Sequence, residues 1–180
     1  MNLKNFIRII PDFPKKGISY KDITPLLNNP EATEFALKKL VKGLPDNIDK
    51  VAGIESRGFL FGFLLAQYLG VGFVPIRKPG KLPAEKYAES YDLEYGSDTL
   101  EMHKDAIKPG ERTVLHDDLL ATGGTAKAAC RLIEKGGGTI EQCNFIIELD
   151  QLKDRKKNRG LWFFSFDKFF RLKKSYLISS

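Results

Sequence analysis

Two adjacent carboxylates, Asp117 and Asp118, stand just before a run of small residues in the string "TVLHDDLLATGGTA", residues 113–126. Adjacent like charges repel each other, and glycine weakens any helix or strand that contains it. A turn followed by a helix cap also uses aspartate and glycine, but the complete string is much less typical of that simpler arrangement. We therefore expect a ligand to compensate for both unfavourable features.

The small residues of this string have the properties of a phosphate-binding loop. They precede a predicted helix, whose first backbone N–H groups are unpaired and lie at the positive end of the helix dipole. Glycine lets the backbone approach an anion closely, and threonine adds hydroxyl donors. The Walker pattern GxxxxGK[ST] does not occur in the sequence. The string thus predicts a monophosphate site, the phosphate loop, made of Ala121, Thr122, Gly123, Gly124 and Thr125.

The acidic pair, Asp117 and Asp118, would repel a phosphate, so we expect it to face another part of the same ligand. A ribose diol fits this requirement, because each carboxylate can accept a hydrogen bond from a hydroxyl group. A magnesium ion nearby would offset the paired negative charge. Together, the acidic pair and the phosphate loop are interpreted as a clamp for a ribose 5-phosphate.

The chain around these residues alternates between predicted strands and helices. A strand, a helix and a second strand in succession form a βαβ unit with parallel strands. The pattern predicts an α/β fold with an open, mainly parallel, twisted sheet flanked by helices on both faces. We expect strands at residues 50–54, 72–76, 113–116 and 143–149, and helices at residues 31–42, 58–69 and 125–135.

The polar segments of this pattern follow the predicted strands. They are "ESRG" at residues 55–58, "RKPGK" at residues 77–81 and "DDLLATGGT" at residues 117–125. Ligands of open α/β sheets bind beyond the carboxyl ends of the strands. We therefore expect these segments to form one site.

Residues 78–95 form a long polar segment with two prolines and weak periodicity. A long irregular loop in a compact domain is typical of a lid or a binding loop. The alternative is a β-hairpin that packs on the surface. We predict the mobile loop.

Composition limits the remaining possibilities. The 180 residues suit a single domain, and 42% hydrophobic with 29% charged residues can build a globular core. A net charge of +6 fits either a soluble basic protein or a phosphate-rich partner. The sequence has no arginine-rich run of the kind that follows a nucleic-acid backbone, so we expect no nucleic-acid partner.

The two cysteines, Cys130 and Cys143, lack CxxC spacing, which argues against a zinc site and a disulfide framework. We expect both in the core of a protein from a reducing compartment. The sequence shows no signal peptide and no apolar stretch of 18 residues. We therefore predict a cytoplasmic protein with no membrane partner.

The string "VLHDDLLATGGTA" resembles the signature with which type I phosphoribosyltransferases bind phosphoribosyl diphosphate (PRPP). Four further strings are similar, in the same order, to the adenine-specific members of that family. They are "DFPKKGISYKDITPLL", "GIESRGFLFG", "RKPGKLP" and "LEYGSDTLEMHKDAI". The resemblance covers residues 6–155. It implies Mg²⁺-dependent transfer of ribose 5-phosphate from PRPP to N9 of adenine, giving AMP and diphosphate in purine salvage.

The resemblance also implies roles for individual residues. The phosphate loop would hold the 5-phosphate, and the acidic pair would bind the ribose hydroxyls. Arg77 and Lys81 would bind the diphosphate charge, and Mg²⁺ would be held mainly through PRPP oxygens. The backbone of the ESRG turn would bind diphosphate, with a strained or cis peptide in it; its residues are Glu55, Ser56, Arg57 and Gly58.

Further parts of the chain would complete the site. Residues 1–30 would form a small hood, in which Tyr20 stacks on adenine and backbone groups near Ser19 and Lys21 read the edge of the base. Residues 78–95 would close as a lid, and Glu94 would handle the adenine proton. The family also implies a homodimer. A 6-oxopurine phosphoribosyltransferase and a PRPP-sensing regulator are the alternative functions.

Three features lie outside these assignments. His116 precedes the acidic pair where the family uses no histidine, so we expect a structural role for it. We expect His103 at the surface. The aromatic and basic tail, residues 156–180, is open to three interpretations: a terminal strand that covers the sheet edge, a dimer contact, or a membrane-surface segment.

Overall fold

The computed structural model describes residues 1–92 and 96–149, and the backbone of two short strands at residues 163–165 and 168–170. The chain divides into two compact units, Met1–Lys42 and Gly43–Ser180.

The first unit combines a short antiparallel ribbon with helices. Four of its buried side chains, Leu26, Ala32, Ala36 and Leu40, belong to the two α-helices. The helix predicted at residues 31–42 is confirmed; it begins one residue earlier, at Pro30. The elements are a 3₁₀ helix at Leu3–Phe6, β1 at Arg8–Ile10, β2 at Tyr20–Asp22, α1 at Thr24–Leu27 and α2 at Pro30–Lys42.

The second unit is built on the predicted parallel sheet. Its central strands are β3 at Lys50–Ile54, β4 at Gly72–Ile76, β7 at Arg112–Leu120 and β8 at Thr139–Glu148. They lie in the order β8-β7-β3-β4, and all neighbours are parallel. The prediction of an open, mainly parallel sheet is therefore confirmed.

Two short strands extend the sheet at its β8 edge. The first, β9 at Phe163–Ser165, pairs with β8 in parallel, and β10 at Lys168–Phe170 pairs with β9 antiparallel. Part of the tail therefore adds strands to the sheet edge, which is the first of its three interpretations. Its other residues lie outside the described part of the chain.

Helices cover both faces of the sheet. A Cβ at Gly53 would lie 2.9 Å from the backbone oxygen of Gly58, the first residue of α3 at Gly58–Leu69. The neighbouring residues Ala52 and Ile54 belong to the buried cluster that contains the apolar residues of α4, at Gly124–Lys135. Since successive side chains of a strand point to opposite faces, α3 and α4 lie on opposite sides. Both helices start within one residue of their predicted positions, and Gly70 (φ 68°) ends α3 as expected.

Part of the segment predicted as an irregular loop is one strand of a β-hairpin. Strand β5 at Lys86–Asp92 pairs antiparallel with β6 at Ser97–His103, so the prediction is wrong for residues 86–92. Tyr87 and Tyr91 of β5 pack against the core. Between them, Glu89 forms ion pairs with Arg131 and Lys135 of α4. A charged residue on the buried side therefore hid the alternating pattern of this strand.

Candidate active site

The three polar segments meet along one edge of the sheet. Strands β7, β3 and β4 are adjacent and parallel, so their carboxyl ends lie side by side. The ESRG turn follows β3, the basic segment at residues 77–81 follows β4, and the phosphate loop follows β7. The structure therefore brings together the segments that the sequence placed at strand ends.

The acidic pair lies within β7 rather than after it. The predicted strand at residues 113–116 extends to Leu120, because β7 continues to pair with β8 as far as Leu120 and Glu148. The ladder between β3 and β7 ends at Gly53 and His116. Beyond that point the chain of β3 turns into α3, and a Cβ at Gly58 would lie 2.9 Å from Asp117 Oδ1. The ESRG turn and the acidic pair are thus in direct contact.

An arginine from this turn pairs with the second carboxylate. Arg57 Nε lies 3.0 Å from Asp118 Oδ2, and the Asp118 side chain is only 5% exposed. This Oδ2 atom has no hydrogen bond of acceptable geometry, although the ion pair is close. The Asp118 N–H donates a 2.9 Å hydrogen bond to Asp117 Oδ1. Sequence reasoning assigned only the backbone of Arg57 and missed its side chain.

Burial makes the acidic pair resist ionisation. It raises the pKa of Asp117 well above the usual value, and the neighbouring charge of Asp118 raises it further. Burial also raises the pKa of Asp118, against the opposing charge of Arg57. One arginine therefore compensates two carboxylates incompletely, and a cation or hydroxyl donors from a ligand would relieve the remaining repulsion.

The phosphate loop has the predicted geometry at a helix N-terminus. Gly123 adopts a left-handed conformation (φ 83°) and caps α4, and Gly124 is the first residue of the helix. Ala121 and Thr122 are exposed, so the loop is open to solvent. A Cβ at Gly124 would lie 3.4 Å from the backbone oxygen of Asp92, so the end of β5 borders the loop.

Glu55 pairs with Arg77 and Lys81 of the basic segment. Its carboxylate accepts hydrogen bonds from Arg77 Nε at 3.1 Å, from the Lys78 N–H at 3.0 Å and from the Lys81 ammonium. Burial alone would raise the pKa of Glu55, but these hydrogen bonds outweigh it and lower the pKa to about 2. The ammonium group of Lys78 pairs with Asp98 and donates to Tyr91 Oη at 3.0 Å.

The peptide bond between Glu55 and Ser56 is cis, as the resemblance implied.

The base-recognition candidates belong to the first unit. Tyr20 opens β2 and makes an edge-on contact with Phe13, with 5.2 Å between the ring centroids. Lys21 Nζ donates to Ser19 Oγ at 2.9 Å. Glu94 lies outside the described residues.

The histidines and cysteines have structural surroundings. His116 is fully buried, its Nδ1 lies 2.7 Å from Asn144 Oδ1, and burial lowers its pKa to about 4 despite that hydrogen bond. His103 is half-buried at the end of β6 rather than at the surface. Cys130 and Cys143 are free and buried, as expected of core cysteines.

Residues 1–92 and 96–149 contain neither a possible membrane span nor a cluster of metal ligands. No helix there is long and apolar enough to cross a membrane. No group of three or more histidine, cysteine, aspartate or glutamate residues there is arranged to hold a metal ion.

Comparison with known proteins decides the family. The phosphoribosyl transferase domain family matches residues 19–172. The adenine phosphoribosyltransferase of Christiangramia forsetii is 63% identical over 161 residues, which are 89% of this chain and 94% of that protein. This chain belongs to the adenine phosphoribosyltransferase family.

Solved adenine phosphoribosyltransferases share the fold. The enzyme from Thermoanaerobacter pseudethanolicus superimposes with a TM-score of 0.87 at 53% identity, covering 91% of this chain and 95% of that one. The Saccharomyces cerevisiae adenine phosphoribosyltransferase, solved with an imino-altritol bisphosphate and adenine, has a TM-score of 0.80 at 42% identity. It covers 91% of this chain and 95% of its own.

Proposed function

We propose that this chain transfers ribose 5-phosphate from PRPP to N9 of adenine, giving AMP and diphosphate in purine salvage in the cytoplasm. One observation carries the proposal: the acidic pair, the phosphate loop and the basic segment lie at the carboxyl ends of adjacent strands. A ribose 5-phosphate with a diphosphate on C1 presents hydroxyls, a monophosphate and a diphosphate to those three groups. The family membership supports the same reaction.

The charges of the site suit this displacement. The bond from C1 of the ribose to the diphosphate oxygen breaks as the bond to N9 forms, so positive charge develops on the ribose and negative charge on the leaving group. The carboxylates of Asp117 and Asp118 stabilise the developing cation, and Arg77 and Lys81 stabilise the leaving diphosphate. The backbone of residues 55–58 adds hydrogen-bond donors beside it.

The acidic pair also fits a Mg²⁺ requirement. Asp118 Oδ2 is buried without a hydrogen bond, and the pKa of both carboxyls is raised by burial, so a divalent cation near them would relieve an unfavourable charge arrangement. Mg²⁺ would be held mainly through PRPP oxygens, and when bound it would offset the charge of the diphosphate. The residues of the chain orient the ribose and exclude water around it.

Base recognition and closure complete the proposal. Tyr20 stacks on adenine, and backbone groups beside Ser19 and Lys21 read its edge. Glu94 takes up the proton that adenine loses. Residues 78–95 act as the lid, since Asp92 within this segment, at the end of β5, borders Gly124 in the phosphate loop. We assign to this catalytic chain a hood at residues 1–30, a lid at residues 78–95 and a tail at residues 156–180.

A homodimer is part of the proposal. Helix α3 is apolar on both sides: Phe61 and Leu65 are buried, while four apolar or aromatic residues spaced along the outer side are 37–56% exposed. These are Leu60, Phe63, Leu64 and Tyr68. An apolar helix face of this kind favours association with a second copy. Light scattering at assay concentration tests this, and a fully active monomer would contradict it.

A purine panel tests the reaction. Purified protein with Mg²⁺ and PRPP should convert adenine to AMP much faster than it converts hypoxanthine or guanine. Equal or faster turnover of hypoxanthine or guanine would contradict adenine as the substrate and identify a 6-oxopurine phosphoribosyltransferase. PRPP binding without turnover of any purine would favour the regulator.

A further inference from the structure

The basic segment, residues 77–81, is paired with carboxylates. Glu55 accepts hydrogen bonds from three of its five residues: Arg77, through Nε at 3.1 Å and Nη2 at 3.4 Å, the Lys78 N–H at 3.0 Å, and the Lys81 ammonium. The Glu55 side chain is only 9% exposed, while its partners Arg77 and Lys81 are 32% and 47% exposed. A single carboxylate therefore holds both side chains that the proposed function assigns to diphosphate.

A carboxylate and a diphosphate require the same donors. The guanidinium of Arg77 is planar and can donate two parallel hydrogen bonds to a carboxylate or a phosphate. Its Nε and Nη2 atoms donate to the two carboxylate oxygens of Glu55. The remaining nitrogen of the same guanidinium, Nη1, donates to the Lys81 backbone oxygen at 3.2 Å. An arriving diphosphate thus meets cations whose charge is partly neutralised and whose best-aligned donors are engaged.

On these contacts, and on the proposed function, rests one inference. We propose that Glu55 is a positioning residue that competes with diphosphate for Arg77 and Lys81, and thereby lowers the affinity of the enzyme for this product. When diphosphate leaves, Glu55 takes back its donors, so the cations are never left unpaired.

The competition affects the three phosphorylated ligands, PRPP, diphosphate and AMP, differently. PRPP also contacts the phosphate loop and the acidic pair, so it retains affinity when the basic segment contributes less. Free diphosphate depends on the basic segment and the ESRG turn. AMP carries no diphosphate and does not compete with Glu55. The charge of Glu55 persists at neutral pH, because its hydrogen bonds lower its pKa to about 2 although burial alone would raise it.

The test measures diphosphate and AMP binding by isothermal titration calorimetry in Mg²⁺ buffer. Glu55→Gln keeps the side-chain shape and removes the competing charge. It should tighten diphosphate binding by about tenfold, since a hydrogen bond to a charged group contributes roughly that factor. AMP binding should not change. Stronger product inhibition by diphosphate in the same variant would support the same conclusion.

Glu141→Gln is the matched control. Glu141 also pairs with an arginine, at 3.2 Å from Arg112 Nη2, but it lies near the amino ends of β7 and β8. Its substitution should leave diphosphate and AMP binding unchanged. If it tightens diphosphate binding as much as Glu55→Gln does, a general change of net charge explains the effect and the inference is wrong.

Glu55→Asp covers the case in which the glutamine variant does not fold. It keeps the charge but shortens the side chain by one methylene, so it should release the cations in part and tighten diphosphate binding by roughly twofold to threefold. Weaker or unchanged diphosphate binding in a folded Glu55 variant, with AMP binding intact, would identify Glu55 as an anchor and overturn the inference. Wild-type protein that binds neither ligand would overturn the proposed function as well.

Discussion

The acidic pair and Glu55 lie at the ends of neighbouring strands, yet their electrostatic surroundings are opposite. Asp117 and Asp118 share one arginine, and burial raises the pKa of each. Glu55 alone receives hydrogen bonds from two cationic side chains and a backbone N–H, which overcome burial and lower its pKa to about 2. The first group has too few cations and the second has a surplus. The comparison indicates that a ligand must supply positive charge to one and negative charge to the other.

The largest expected effect comes from adding a side-chain atom at Gly58, where the ESRG turn touches the acidic pair. In Gly58→Ala, the new Cβ would lie 2.9 Å from His116 O and 3.1 Å from Asp117 Cα, and backbone cannot move aside easily. We expect loss of measurable activity and a decrease in the free energy of unfolding of about 1–3 kcal/mol. Denaturant unfolding and turnover assays measure both.

Gly72→Ala is the control for that variant. Its Cβ would meet mainly the Lys50 side chain, whose ammonium end can move away. Near wild-type stability and activity are expected. If Gly58→Ala is also fully active, the close approach of α3 to the acidic pair has no functional importance.

Removing one charge from the acidic pair should mainly affect the chemical step. Asp118→Asn keeps the shape of the side chain but removes the negative charge that pairs with Arg57 and lies near the developing cation. We expect kcat to decrease by roughly 10²–10³-fold, with a smaller change in the KM for PRPP, because the interaction strengthens in the transition state. Steady-state kinetics on protein shown to be folded by circular dichroism decides this. A kcat close to wild type would contradict the electrostatic role.

Obstructing the phosphate loop should affect binding instead. Gly124 has room for a Cβ, since the nearest atoms would be 3.4–3.8 Å away, so Gly124→Val should fold. Its branched side chain occupies the space where a phosphate approaches the backbone. Affinity for both PRPP and AMP should decrease by about tenfold or more, because both carry the 5-phosphate. Calorimetry with AMP measures this directly, and an unchanged AMP affinity would show that the 5-phosphate does not bind at the phosphate loop.

Much of the fold and the arrangement of the site could be predicted from the sequence. Apolar runs and a terminal glycine located β3, α3 and β4 correctly. The rule for parallel sheets then placed three distant polar segments along one edge. These inferences succeed because they depend on local periodicity and on chain connectivity.

The pairing of individual charges could not be predicted in the same way. The contacts from Arg57 to Asp118 and from Glu55 to Arg77 join residues from different strand ends, and their partners depend on side-chain directions that no local pattern specifies. The length of β7 was underestimated because two aspartates interrupt its apolar run. Glu89 concealed β5 for a similar reason, since its ion pairs with α4 satisfy a charge on the packed side of the strand.

The central claim is that their surroundings raise the pKa of Asp117 and lower the pKa of Glu55. Thermal unfolding of one variant at each position, measured without ligand, tests this claim most directly. Asp117 has a raised pKa in the folded state, so its ionisation destabilises the fold as the pH rises above the unfolded value of about 3.9. Glu55 has a lowered pKa, so it stabilises the fold above about pH 4.3 and loses this effect as the pH falls toward 2. At pH 7.5, Asp117→Asn should therefore raise the Tm and Glu55→Gln should lower it, each by about 2–4 °C. The increase for Asp117→Asn should shrink at pH 5, and shifts of the same sign for both variants at pH 7.5 would contradict the account.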